Sequence, residues 1–174
     1  MNAQILSNIN NYLRKRLIEL LGVVLVISSI FLLVIVATYS PSDPNFIYNP
    51  ENTEIRNIGG FYGSVVSDFL LQSLGLISFL LVINFLSWGI KLITEKTIKS
   101  FIVKITFTLL YIIFGTTFLN LFYSESFWLI DNGNGGFVGN SIRESIYYFT
   151  PLIENKYSIY SFLLITIICF IMSL

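Results

Sequence analysis

Four apolar runs, residues 17–38, 70–90, 101–122 and 157–174, constrain this chain more than any other feature of it. A hydrocarbon core of about 30 Å takes roughly 20 apolar residues in helix, and each run approaches that length. Inside a bilayer an isolated run can satisfy its backbone polar groups only as a helix. Helices buried in a water-soluble bundle would keep a polar face at the 3.6-residue period, and residues 23–37 offer only Ser28 and Ser29. The first run is preceded by a polar segment ending in Arg14, Lys15 and Arg16. It is too long, and lacks the small-residue cleavage site, for a removable signal peptide.

Composition narrows the function classes. Hydrophobic residues make up 55% and charged residues 11% of the chain, against roughly 25% charged in ordinary soluble domains. There is no histidine and one cysteine, Cys169, which excludes an internal disulfide, a zinc site of the usual kind and any histidine-based triad. Formal net charge is zero and no basic cluster interleaves with aromatics, so direct nucleic acid binding by this segment is not expected.

Charge asymmetry predicts orientation. Arg14, Lys15, Arg16, Lys91, Lys96, Lys99 and Lys104 flank one side, and only Arg56, Arg143 and Lys156 the other. Positively charged short loops stay on the cytoplasmic side, which places the N-terminus and the turn 91–100 in the cytoplasm. Tyr39, Phe122, Tyr123, Tyr157 and Tyr160 then mark the outer boundary and Trp88 the inner one. Two outer loops follow, 39–69 and 123–156.

The loops share a repeat. Gly59-Gly60-Phe61-Tyr62-Gly63 recurs as Gly135-Gly136-Phe137-Val138-Gly139, and at the same offset Val66, Asp68 and Leu70 match Ile142, Glu144 and Ile146. Further on Gly75 stands where Pro151 does, and Leu76-Ile77 matches Leu152-Ile153. The predicted fold is an all-α membrane protein, a single four-span domain over 1–174. Its four transmembrane helices form two sequential hairpins, each with a short outer surface helix. In the second copy Val138, Ile142, Ile146 and Phe149 form an apolar stripe opposite Asn140, Arg143 and Glu144.

Candidate sites are few. The glycine-rich 133–139 loop lacks the Lys-Ser/Thr of a phosphate loop and reads as a turn, so no cofactor is expected. Glu19 and Lys104 are the ionisable groups within the runs, both near the cytoplasmic end, where they can snorkel or pair between the first and third spans. Gln72, Asn84 and Asn120 are suited to joining helices by hydrogen bonds.

Tyr39-Ser40-Pro41-Ser42-Asp43-Pro44-Asn45-Phe46, directly after the first run, resembles the corresponding stretch of FtsK/SpoIIIE-type DNA translocases. Residues 57–63 followed by 67–75 are similar to that family's lead-in to its second span, and the Gly-Gly-Phe-Val-Gly turn before the last run is similar as well. The resemblance implies an N-terminal four-span domain that lies in the bacterial inner membrane and anchors the translocase at the division septum. It also implies a homo-oligomer in contact with other bacterial division proteins as well as the lipid bilayer. The family's motor is missing from this sequence, which contains no Gly-x-x-x-x-Gly-Lys-Ser/Thr, so the segment is expected to be a partial chain without enzymatic activity. The alternative is a small transporter or channel subunit, which the repeat favours and the lack of a charge at mid-depth disfavours. An intramembrane enzyme ranks last, for want of a general base.

Overall fold

The structure is a computed structural model that describes residues 2–48, 54–126, 128–129, 131–149 and 155–174. Within these the chain forms six helices: α1 (Asn2–Ala37), α2 (Gly60–Leu74), α3 (Ile77–Thr94), α4 (Phe101–Phe122), α5 (Gly136–Phe149) and α6 (Lys156–Ser173). Ser7–Ala37 of α1 and the whole of α3, α4 and α6 are long and apolar enough to cross a membrane, which makes this an all-α, multi-pass membrane protein. Leu17, Leu20, Leu21, Val24, Ile27 and Phe31 on α1 are each more than half exposed. Such a face is at home against lipid, where apolar exposure carries no hydrophobic penalty.

Two span boundaries differ from the expected ones. The first helix ends at Ala37 and extends back to Asn2, so the basic Arg14–Arg16 cluster lies within a continuous helix rather than ahead of one. The second apolar run is not a single helix. Gly75 sits at φ +58°, the chain breaks there, and residues 70–74 belong to α2 while the span starts at Ile77. The freed backbone groups find partners: the Ser78 hydroxyl donates to the carbonyls of Leu70 and Gly75, both at 2.8 Å, and the Leu76 amide donates to Asn134 O at 3.0 Å. A hydropathy pattern does not register this break, because Leu76 and Ile77 continue the apolar run across it.

The spans pair as α1 with α3 and α4 with α6. Hydrophobic burial does not draw helices together in lipid, so close packing must do so, and small residues permit it. At the α1–α3 crossing a Cβ on Gly22 would lie 2.8 Å from the Gly89 carbonyl oxygen, a distance only glycine tolerates. At the centre of the second pair Tyr111 and Cys169 are buried with Ile77, and the Tyr111 ring meets Phe170 edge-on at 5.4 Å.

The two pairs are tied at both ends. At the basic end Asn84 donates to the Ser173 hydroxyl, Lys91 to the Leu174 carbonyl, and Trp88 Nε1 to the Ser173 carbonyl at 2.8 Å. Trp88 is therefore a buried joint between α3 and α6, not the headgroup marker its position suggests. At the other end α2 packs on α1, α5 packs on α4, and α2 and α5 meet. Gly75 and Gly136 (φ +65°) form that seam, where a Cβ on Gly136 would lie 2.5 Å from the Gly75 amide nitrogen.

Of the two readings open for Glu19 and Lys104, the pair between them does not form, and Glu19 takes other partners. Glu19 accepts from Arg16 at 2.6 Å and from Lys96 at 2.7 Å, while Lys104 neighbours Lys91. The reason is the pairing order: α1 packs on α3, so the nearest lysine is the one in the turn leaving α3, where Lys96 adopts φ +58°.

Candidate functional site

A polar network gathers at the loop end, in a cap built from residues 38–48 and 54–59, α2, residues 128–129 and 131–134, and α5. Asp43 organises its first half. Its buried carboxylate accepts the backbone amides of Arg56 at 3.0 Å and Asn57 at 2.8 Å, pinning the returning strand of the loop to the turn that follows α1. That turn closes through the Asp43 amide on Ser40 O at 3.1 Å, with Ser40 and Ser42 hydroxyls bonded at 2.9 Å. Pro41 lies within the same turn, and the Pro44 carbonyl accepts from the Ser64 hydroxyl at 2.8 Å, which fastens the turn to α2.

Asn57 carries the pin inward. Its Nδ2 donates to Ile35 O at 2.8 Å and to Ser67 Oγ at 3.1 Å, and its Oδ1 accepts the Gly59 amide at 2.9 Å. Every polar atom of this buried side chain is used, as burial requires. Gly63 is packed onto the same Asn57 oxygen, with no room for a Cβ.

A second network spans the two halves. Tyr39 donates to Asp68 Oδ1 at 3.1 Å and accepts from Gln72 Nε2 at 3.2 Å, and its carbonyl takes the Trp128 indole N–H at 3.0 Å. The Tyr39 and Trp128 rings meet edge-on at 5.5 Å. Gln72 also reaches Asp131 at 3.4 Å and Asn132 at 3.0 Å. Burial, with the Asp68 and Asp131 carboxylates adding to it, pushes the Tyr39 hydroxyl up to about 12, so it stays protonated and donating. Tyr39 is thus a buried keystone rather than an interfacial ring.

The second half is built on other residues. Asn134 donates to the carbonyls of Tyr123 at 3.0 Å and Glu125 at 2.8 Å. Both α2 and α5 start on the second glycine of their pair, Gly60 and Gly136, each at positive φ, with Gly59 and Gly135 packed just before them. Gly139 lies on the Thr116 carbonyl, where its Cβ would stand at 2.5 Å. Two of the three polar residues expected along the water side of α5 turn into the protein instead: Asn140 accepts from Asn120 and donates to Asn132 O at 3.2 Å, and Arg143 donates to Asn120 at 3.5 Å, while Glu144 is exposed. Val138, Ile142 and Ile146 are half-buried. The Phe149 side chain, Pro151 and Leu152-Ile153 lie outside the described residues.

Sequence reasoning misses three members of this cap, Asn57, Asn134 and Trp128. The asparagines have one signal, their position within two residues ahead of each glycine pair, and Trp128 carries none. Phe46 completes the motif after α1 with its ring three-quarters exposed and edge-on to Phe61 at 5.9 Å. Among the described residues no three groups of the metal-ligating kind converge, and Cys169 is buried in α6.

The fold and this cap define a four-span membrane domain whose loop end is tied together by hydrogen bonds and presents apolar side chains and carboxylates. The family described as the 4TM region of DNA translocase FtsK/SpoIIIE matches residues 14–173, and the chain belongs to that family. Curated relatives include DNA translocase FtsK of Azospirillum brasilense, 33% identical over 82 residues, 47% of this chain and 13% of that protein. That of Bradyrhizobium diazoefficiens is 26% identical over 135 residues, 78% of this chain and 16% of that protein, and that of Vibrio vulnificus is 35% identical over 75 residues, 43% and 7%. The chain thus spans less than a fifth of the length of these relatives. No solved structure matches it.

Proposed function

We propose that this chain is the membrane anchor of a bacterial DNA translocase of cell division and chromosome segregation, holding that protein in the cytoplasmic membrane at the division septum. The observation that carries the reading is the family match over 14–173 coinciding with all four spans and both halves of the cap. The N-terminus and the turn 95–100 face the cytoplasm, supported by Arg14–Arg16, Lys91, Lys96, Lys99 and Lys104 at one end of the spans. The cap then faces outward. Copies associate laterally through the exposed apolar face of α1, and other division proteins meet the cap. Weak contacts per copy suffice once copies are linked, because linkage raises effective concentration.

The test is a fluorescent fusion of the chain in a dividing rod-shaped bacterium. A band at mid-cell is expected, and Asp43→Ala, which unpins the cap, should spread it around the envelope while membrane insertion persists. Uniform membrane fluorescence from the stably inserted parent chain would overturn the septal anchor.

A further inference from the structure

Under the cap, α2 lies across the α1–α3 pair and leaves a crevice of about 350 Å³ lined by Leu32 of α1, Val65, Val66 and Phe69 of α2, and Val82 and Phe85 of α3. Phe85 is eight residues into α3, about 12 Å below its start, so the crevice runs down to acyl-chain depth. It is continuous at Phe46, Val65 and Phe69 with a second hollow of about 400 Å³ above it, whose wall carries Asn45, Asp68, Gln72, Asp131 and Asn132. The lower hollow is apolar and the upper one carries two carboxylates. Among the described residues no Lys or Arg forms an ion pair with Asp68 or Asp131, and the residues outside that description contain neither Lys nor Arg. The donors to these carboxylates among the described residues are neutral: Tyr39 and Asn45 donate to Asp68, and Gln72 to Asp131.

We propose that this two-part groove holds one phospholipid with a primary-ammonium headgroup, of the phosphatidylethanolamine type, from the leaflet at the loop end. One acyl chain fills the Leu32–Phe69–Phe85 crevice, and the ammonium donates to Asp68 and Asp131 in the hollow above. Charge complementarity chooses the occupant. An ammonium on a two-carbon arm supplies the missing positive charge and its N–H donors at headgroup height, whereas an anionic headgroup would meet two like charges. A partner peptide could match the carboxylates, but it does not bring an acyl chain to the depth of Phe85. Phe69, two-thirds exposed between the hollows, becomes a covered side chain once the lipid is seated.

The experiment is thermal unfolding of the purified full chain in detergent, titrated with phosphatidylethanolamine, with phosphatidylglycerol of the same acyl chains, or with phosphoethanolamine lacking them. Phosphatidylethanolamine should raise Tm by about 4 °C at saturation, and the other two should not. Asp131→Asn, at the edge of the network, should weaken the lipid effect about ten-fold, the loss of one charge-assisted hydrogen bond. Phe69→Trp, which fills the crevice, should abolish it while leaving the lipid-free Tm within about 2 °C. Equal stabilisation by both lipids, or an undiminished effect in Asp131→Asn and Phe69→Trp, would overturn the proposal. So would stabilisation by phosphoethanolamine alone, or by a lysine-containing peptide with no response to phosphatidylethanolamine.

Discussion

Asp43 shows how a short motif earns its residues. Two backbone amides point at its carboxylate from the far strand of the loop, and the side chain is almost fully buried. Asp43→Ala should cost about 2 kcal/mol, because it strands the buried Asn57 amide and leaves the more exposed Arg56 amide to water, while Asp43→Asn, which keeps one acceptor, should cost less; denaturation of both variants in detergent checks the order. The pH dependence of the cap belongs to Tyr39. Its ordinary value near 10 is raised to about 12, so the folded state holds the proton more tightly than the unfolded one. Its contribution, roughly 2 kcal/mol, is complete below pH 10 and is lost as pH rises from about 10 to 12. Tyr39→Phe should remove that alkaline decline in Tm relative to the parent. An unchanged slope between pH 10 and 12 would show that the hydroxyl does not couple to folding.

At the scale of elements, the two glycine pairs look alike in sequence and differ in surroundings. Gly60 has φ +62° and open space around it, whereas Gly136 has φ +65° and touches the Gly75 amide and the Ser73 carbonyl. Gly60→Ala should therefore cost only the left-handed backbone term, about 1 kcal/mol, and Gly136→Ala should cost several times more by prising α5 off α2. Comparable Tm losses for the two would mean that the seam is not tightly packed. The same contrast explains what the sequence makes legible. Four helices of spanning length follow from the apolar runs at 17–38, 70–90, 101–122 and 157–174, because length and hydropathy are local properties. The break at Gly75 escapes that reading, since its cause is a backbone angle and a hydrogen bond from Leu76 to Asn134 nearly sixty residues away. The motif from Tyr39 to Phe46 stands out by resemblance, but the burial of Asp43 and Tyr39 depends on Asn57 and Trp128 arriving from elsewhere in the chain. The partner of Glu19 stays open in the sequence for a similar reason: it is decided by which helices pair, and that is not written in either helix alone.

For the molecule as a whole, the cap and the basic end divide the chain by chemistry. Glu19, Arg16 and Lys96 are joined at one end, and Asp43, Asp68 and Asp131 sit at the other, separated by the length of the spans. Helices of 18 to 22 residues rise about 27–33 Å, so each of α3, α4 and α6 places its ends at opposite faces of a bilayer core. Topology can then be measured with single cysteines in a Cys169→Ser background, at positions chosen for exposure. Ile47 is nearly fully exposed and Tyr148 largely so on the cap, and Thr97 is exposed in the turn between α3 and α4. Ile47→Cys and Tyr148→Cys should react in intact spheroplasts with a membrane-impermeant thiol reagent, and Thr97→Cys should react only after the membrane is opened. The two cap positions lie on opposite repeats, so their agreement also tests that both hairpins enter the bilayer with the same polarity. Labelling of Ile47→Cys without Tyr148→Cys would split the hairpins to opposite orientations, and labelling of Thr97→Cys alone would invert the whole domain and turn the carboxylate-lined hollow toward the cytoplasm.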